Sequence, residues 1–166
     1  MAIGLIDGLI TALIIASHAI LSNLTLPVSA AIRISGGSSM VGATSYLLAE
    51  YGEKRTDMAR IAKHLNPMTL KYSRNRSVQM RILLESVIGG SVALAFGFIG
   101  AMIPLGFYSV FGMSPIISIA VTFIALSLTG VYMGYEAEGS AMMWLIALDS
   151  VGILMLILGN YLRIFQ

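Results

Sequence analysis

Five long apolar stretches, separated by short polar or proline-containing segments, dominate this sequence. Each is close to the ~20 residues that an α-helix needs to cross the hydrocarbon core of a bilayer. Apolar residues make up 57% of the chain and charged residues 11%, so little chain remains to cover a water-facing surface. The pattern predicts an all-α, polytopic membrane bundle of five transmembrane helices. We expect them within one domain, 1–166, at residues 2–21, 27–51, 80–103, 115–134 and 140–162.

The segments between these stretches have predicted structures of their own. The second helix is expected to continue as a water-exposed helix to about Leu65, where Asn66-Pro67 ends it and a basic linker, 66–79, follows. The third helix is expected to stop near Pro104, with a short loop from Leu105 to Met113. The first stretch has no basic segment before it and contains Asp7, which favours a first span over a cleavable signal.

The basic residues are concentrated in one part of the chain and predict its orientation. Eight of the ten lie in or beside the link between the second and third helices. Because positively charged loops stay in the cytoplasm, the N-terminus is expected inside and the C-terminus outside. The same charges suit anionic lipid headgroups, and no aromatic-interleaved basic motif indicates nucleic acid. The predicted location is the cell membrane of a prokaryote, or else an organelle membrane. The eight residues are Lys54, Arg55, Arg60, Lys63, Lys71, Arg74, Arg76 and Arg81.

Polar side chains within the first two spans predict an ion path. At about 100° per residue, Asp7, Thr11 and His18 fall on one face of the first helix. Tyr46 and Glu50 share a face of the second helix with further hydroxyl and acidic residues, and antiparallel packing places Asp7 and Tyr46 at similar depth. An ionisable group inside a span is costly unless it has a partner, so it marks a functional site. The predicted transport path consists of Asp7, Thr11, Tyr46 and Glu50.

The residue types along this path suit a divalent cation. Oxygen ligands with one imidazole favour hard or borderline ions such as Fe²⁺ or Mn²⁺, and the chain has no cysteine for a thiolate site. Carboxylates that bind a cation also bind protons, so exchange of metal for protons follows. No permanently bound cofactor is expected. The candidate metal ligands are Asp7, Glu50, Glu53 and Asp57; further ligands or proton relays are His18, Asp149, Glu136 and Glu138.

Each candidate also has a structural interpretation. Asp7 can be a charge at a helix N-terminus in the interface, and His18 a packed histidine. Glu50, Glu53 and Asp57 can be the solvated end of a helix, salt-bridged to Lys54 or Arg60, and Tyr46 can be an interface aromatic. Asp149 can be a neutral, hydrogen-bonded group that fixes packing.

The sequence also predicts one ion pair and leaves one packing question open. Glu85 and Arg81 are one helical turn apart and are expected to form a local ion pair. Small residues at four-residue spacing along the third helix form either contacts within the bundle or the seam of a homodimer. That row comprises Gly89, Ala93, Gly97 and Ala101.

No set of residues with the spacing of a catalytic motif is present, so the chain is not expected to be an enzyme. Three functions remain: proton-coupled transport of divalent transition-metal ions out of the cytosol, a non-transporting membrane scaffold or partner-binding subunit, and an intramembrane enzyme acting on lipid. The partners expected for a transporter are the lipid bilayer, a divalent metal ion, protons and a second copy of the chain.

Four segments resemble the vacuolar iron transporter family. Gly4–Thr11 is similar to the family's opening Asn-Asp-Gly-Leu segment, and Gly42–Tyr51 to its second-span signature. Ala93–Leu105 is similar to the third-span pattern that ends in Val-Pro-Leu, and Gly159–Arg163 also fits. The resemblance implies five spans, a dimer with the path between protomers, and export of Fe²⁺ or Mn²⁺ in exchange for protons.

The resemblance also assigns roles to positions, and it has two departures. Asp7 matches the family's span-one pore aspartate, and Glu50 its span-two glutamate. Tyr46 stands where the family has a methionine, which removes a soft ligand. The segment Ala59–Leu84 contains no acidic residue, so the acidic metal-collecting linker of plant-type members is absent. The resemblance therefore implies a divergent member of the family.

Overall fold

The computed structural model describes residues 2–22, 26–65, 76–111 and 115–162, and these ranges form five α-helices without a strand. The all-α class predicted from the sequence is thereby confirmed. The predicted helix break at Asn66-Pro67, most of the basic linker and the end of the predicted 105–113 loop lie outside the described residues. The helices are α1 (Ala2–Ser22), α2 (Val28–Leu65), α3 (Arg76–Phe111), α4 (Pro115–Glu136) and α5 (Ala141–Leu162).

Local signals explain where several helices begin and end. Pro27 immediately precedes α2, and its carbonyl oxygen accepts hydrogen bonds from the amides of Ala30 and Ala31. At the end of α4, the Gly139 amide donates to the Gly134 carbonyl, which closes the helix with Glu138 in a left-handed conformation at φ 50°. The next residue, Ser140, accepts the first amide hydrogen bonds of α5 on its carbonyl oxygen, as an N-cap residue does.

The prediction that a loop begins at Leu105 is wrong, because α3 continues through Pro104 to Phe111. Proline lacks the amide that would bond to the carbonyl four residues earlier, which normally ends a helix. Two contacts hold α3 together here. The Ser118 hydroxyl of α4 donates to the Pro104 carbonyl oxygen at 3.0 Å, and Leu105 is buried against α1 and α2 beside Ala12 and Ala31. Neighbouring helices that re-satisfy the backbone are the usual reason for proline within a transmembrane helix.

The first helix is the centre of the bundle. It contacts α2, α3, α4 and α5, whereas α2 contacts only α1 and α3 among the described helices. The α2–α3 and α4–α5 hairpins lie on opposite sides of it. Leu9 and Leu13 of α1 are almost completely buried and pack against Leu126 of α4. A helix surrounded in this way needs small residues where backbones approach closely, and α1 has them.

Glycine residues bring α1 and α3 into backbone contact. A Cβ atom added to Gly8 would collide with the Gly97 carbonyl oxygen, and one added to Gly100 would lie 2.7 Å from the Leu5 carbonyl oxygen. Ala101 is fully buried on the same edge of α3. Small residues allow such close crossings in lipid, where van der Waals packing holds helices together. The row of small residues on α3 therefore makes contacts within the chain, as the first of the two interpretations requires.

Among the described residues, three helical segments are long and apolar enough to cross a membrane: Ser77–Val110, Ile116–Glu136 and Ala141–Tyr161. Their outward faces carry large apolar side chains, such as Leu128 at 66% exposure and Ile157 at 60%. These observations indicate a membrane-embedded protein. The apolar part of α1, Ala2–His18, is shorter, and α2 is not among the segments that meet the criterion. Glycine, serine and charged residues lower the hydropathy of α2.

Candidate functional site

Asp7 lies in the first half of α1, half-buried and facing α2. Its carboxylate occupies space that a side chain on α2 would otherwise fill, because a Cβ added to Gly42 would collide with Asp7 Oδ2. Beside this contact is an open cavity of about 350 Å³ between α1, α2 and α3. The structure thus brings Asp7 and Tyr46 to one cavity. Its lining residues are Ile3, Gly4, Asp7, Val41, Gly42, Ser45, Tyr46, Ala49 and Ala93.

The surroundings of Asp7 provide oxygen but no positive charge. Ser45 and Tyr46 are the other residues with polar side chains on the cavity wall. Within the described ranges, the ion pairs involve other carboxylates, and none joins Asp7 to lysine or arginine. A half-buried carboxylate without a basic partner is costly in its charged form unless a proton, a cation or water compensates it.

Tyr46 and Glu50 converge on the surface of α3. A Cβ added to Gly89 would lie 2.7 Å from Glu50 Oε2 and 2.8 Å from Tyr46 Cε1, so glycine is needed for both side chains to lie there. Glu50 Oε2 is buried, and the side chain of Tyr46 lies beside it. The polar wall that begins at Asp7 and Tyr46 therefore continues to Glu50, one turn further along α2.

A chain of ion pairs adjoins Glu50 and connects α2 to α3. The Lys54 ammonium lies 2.8 Å from Glu50 Oε1 and 3.2 Å from Glu85 Oε2, and Arg81 Nε lies 3.2 Å from Glu85 Oε1. The hydrogen bond to Glu50, followed by that to Glu85, raises the pKa of Lys54 above its ordinary value. Lys54 is therefore charged at neutral pH. The Arg81–Glu85 pair predicted from the sequence is present, and Lys54 joins it.

Thr11 and His18 share the helical face of Asp7 but do not line this cavity. The Thr11 hydroxyl donates to the Asp7 backbone carbonyl at 3.0 Å, which is the usual bond of threonine within a helix. His18 is half-buried and lies about 16 Å further along the helix axis than Asp7. Their assignment as path or ligand residues stays a prediction that the cavity does not support.

The other acidic candidates are exposed and dispersed. Glu53 and Asp57 face solvent on α2, and Asp57 Oδ1 lies 4.0 Å from Arg60. Glu136 and Glu138 are exposed at the α4–α5 turn. Within the described residues, no three of His, Cys, Asp and Glu form a group that could hold a metal ion. A bound ion would therefore need ligands such as water, a hydroxyl or a second chain.

Asp149 has a separate environment on the other side of the bundle. The Ser127 hydroxyl of α4 lies 3.0 Å from Asp149 Oδ2 and 3.2 Å from Oδ1, so this half-buried carboxyl of α5 is hydrogen-bonded across the α4–α5 hairpin. This is the contact that the packing interpretation requires. A proton relay through Asp149 stays a prediction.

Gly42, Gly89 and Lys54 belong to the site but were not among its predicted members. The two glycines form surfaces against which Asp7, Tyr46 and Glu50 lie. Gly89 was noted only as part of a packing row, because a sequence does not show which side chain will lie against a glycine. Lys54 was expected only as a salt-bridge partner of the acidic residues at the end of the second helix, and its ion pair with Glu50, four residues away, confirms that structural interpretation.

Comparisons with family models, with curated proteins and with solved structures find no match to this chain. The site is therefore interpreted from its own geometry: a half-buried carboxylate that lines an open cavity, a polar wall leading from it to Glu50, and a lysine paired with that glutamate.

Proposed function

We propose that this protein exchanges a divalent transition-metal ion, Fe²⁺ or Mn²⁺, for protons across a membrane, and that Asp7 binds both. The observation that carries the proposal is the Asp7 carboxylate, which lines an open cavity among membrane-embedded helices and has no basic partner in the described chain. A metal ion and a proton are the two species that compensate such a charge, and each must leave for the other to bind.

The cavity wall supplies the hard oxygen ligands that suit this cargo. Asp7 contributes a carboxylate, and Ser45 and Tyr46 contribute hydroxyls. Water completes the coordination of the ion, as it commonly does for hard divalent cations. Glu50 extends the path toward the ends of α2 and α3 that carry the basic residues. Glu53 and Asp57, exposed beyond it, raise the local concentration of cations.

The membrane topology that we propose has five spans. At about 1.5 Å per residue, the 21 residues of α1 extend about 31 Å, which is the thickness of a bilayer core. The first part of α2, 28–51, is long enough as well. Its glycine and serine residues lower its hydropathy, but Ser35 and Ser39 are buried within the bundle rather than exposed to lipid. The N-terminus is cytoplasmic and the C-terminus outside, because the link between α2 and α3 is basic.

A second copy of the chain is proposed to cover the open side of the cavity. Val41 and Ser45 line the cavity and are also exposed, so the cavity opens sideways along α2. Gly37, on the same exposed face, has nothing within 4 Å of the position of a Cβ atom. A small-residue face suits the close, symmetric contact of two identical helices in lipid. This dimer, with its path between protomers, is what the resemblance to vacuolar iron transporters implies, and we propose membership of that family.

The dimer is tested with Ser45→Cys. The chain has no cysteine of its own, so the introduced thiol is the only one. If two α2 helices face each other, mild oxidation in membranes will give a disulfide-linked dimer on a non-reducing gel, because the two thiols lie near the symmetry axis. Ser150→Cys is the matched control, since Ser150 is also exposed but on α5. Absence of the Ser45→Cys dimer, or equal cross-linking of the two variants, would contradict the proposed interface.

Transport itself is tested by reconstitution of the full chain into proteoliposomes. Fe²⁺, Mn²⁺, Co²⁺ and Ca²⁺ are supplied in turn, and metal uptake and internal pH are recorded together. We expect Fe²⁺ or Mn²⁺ uptake to be accompanied by proton movement in the opposite direction, because one carboxylate alternates between the two. Equal leakage of all four ions, or no flux of any, would exclude this function.

A further inference from the structure

Lys54 lies between two carboxylates on different helices at the end of the polar wall. Its ammonium contacts Glu50 on α2 and Glu85 on α3, and Arg81 contacts the far side of Glu85. The Lys54 side chain is 35% exposed, so water reaches the ammonium. These two acidic and two basic groups together carry no net charge. The arrangement is stable without any bound ion.

The same lysine lies against Glu50, the carboxylate one turn beyond Tyr46 on the polar wall. Glu50 Oε1 pairs with Lys54, whereas Oε2 is buried beside Tyr46 and Gly89. Tyr46 in turn lines the cavity that holds Asp7. A cation that reaches Asp7 from this end along the polar wall meets Glu50 first. Lys54 is already paired with Glu50 when the cation arrives.

We propose that Lys54 is a tethered competitor of the transported ion, held on Glu50 by Glu85 until a divalent cation displaces it. The inference rests on the proposed transport function and adds a specificity-determining residue to it. A lysine ammonium is a single charge on a flexible stem, and it can move from Glu50 into the water that already reaches it. A divalent cation carries twice the charge and binds carboxylate oxygens at shorter distance, so it competes with the ammonium where a monovalent cation does not.

The test compares Lys54→Gln with Arg55→Gln in the purified full-length protein in detergent. Both variants lose one positive charge at adjacent positions, but Arg55 is exposed and makes no ion pair within the described residues. Mn²⁺ binding is measured from the free Mn²⁺ signal in electron paramagnetic resonance. Lys54→Gln is expected to lower the apparent Kd about fivefold, the equilibrium effect of one such ion pair. Arg55→Gln is expected to change it little, and Lys54→Arg to retain the wild-type value.

Three other outcomes would contradict the proposal, and they separate failure of the Lys54 role from failure of the transport function. Equal Mn²⁺ affinity in the wild type and Lys54→Gln, with flux intact in proteoliposomes, overturns the role of Lys54 and leaves transport standing. A lower melting temperature of Lys54→Gln without tighter Mn²⁺ binding shows a structural clamp between α2 and α3, and also overturns it. If wild-type proteoliposomes show no metal flux, the proposed function fails and the inference fails with it.

Discussion

Replacement of Asp7 by asparagine is expected to lower metal flux in proteoliposomes at least about tenfold, the scale seen when groups around a metal are removed. It is also expected to abolish the accompanying change of internal pH. Asparagine has nearly the same shape, so the contact with Gly42 and the cavity beside it remain. What it lacks is a negative charge for the cation and a group that can bind and release a proton. The two losses should therefore appear together.

The chain offers a matched control for this experiment in Asp149→Asn. Asp149 is also a half-buried carboxyl within an apolar helix, but it is hydrogen-bonded to Ser127 and does not line the Asp7 cavity. Its replacement should leave flux within about twofold, because the asparagine side chain can keep a hydrogen bond to the serine. Equal loss in the two variants would indicate either a general effect of these carboxyls on folding or the proton relay through Asp149 that the sequence predicts. Unchanged flux in Asp7→Asn would remove Asp7 from the mechanism.

Apolar stretches of transmembrane length were sufficient to predict the helical class. Their hydropathy was not sufficient to identify every proposed span. Three segments have both the length and the hydropathy of a span, whereas α2 does not. The hydropathy of a helix is low when its inner face is formed by serine and glycine, as with Ser35, Ser39 and Gly42 in α2. Composition alone does not distinguish such a buried polar face from exposure to water. The proposed five-span topology therefore rests on helix length and packing rather than on hydropathy.

Helical periodicity located part of the candidate site but overestimated its size. It grouped Asp7 with Thr11 and His18, because side chains about four residues apart share a face. The structure leaves only Asp7 of these three on the cavity, since α2 covers that face at Gly42 and the Thr11 hydroxyl bonds to the backbone of its own helix. A helical face runs the full length of a helix, whereas the Asp7 cavity covers only about two turns.

Contacts between distant parts of the chain were not predictable from the sequence. The pair of Arg81 and Glu85 is local and was expected, but the contact of Glu85 with Lys54 joins residues 31 positions apart. The continuation of α3 beyond Pro104 likewise depends on a hydroxyl supplied by Ser118 of another helix. In both cases the deciding partner is placed by the packing of α2, α3 and α4. A single sequence without alignment contains no signal for that packing.

The position of the Asp7 cavity depends on how closely α1 approaches α3, and Gly8→Ala tests this contact. The added methyl group would collide with the Gly97 carbonyl oxygen and would lie 2.9 Å from the Ala101 amide nitrogen. Both are backbone atoms within a helix, so neither can move aside as a side chain could. We expect a loss of about 2–3 kcal/mol in the free energy of unfolding, the upper part of the range for overpacking. The measurement is the melting temperature in detergent.

Gly106→Ala is the matched control, because it is expected to change the melting temperature in the opposite direction. A Cβ at Gly106 would meet only the flexible end of Met102, at 3.8 Å, so the substitution adds no clash. Alanine favours a helix over glycine by about 0.5–1 kcal/mol, and Gly106→Ala should therefore raise the melting temperature. Gly8→Ala gains the same helix propensity and should nevertheless lower it. If both substitutions stabilise the protein, α1 does not lie against α3 as described, and the cavity wall that brings Asp7 and Tyr46 together has a different shape.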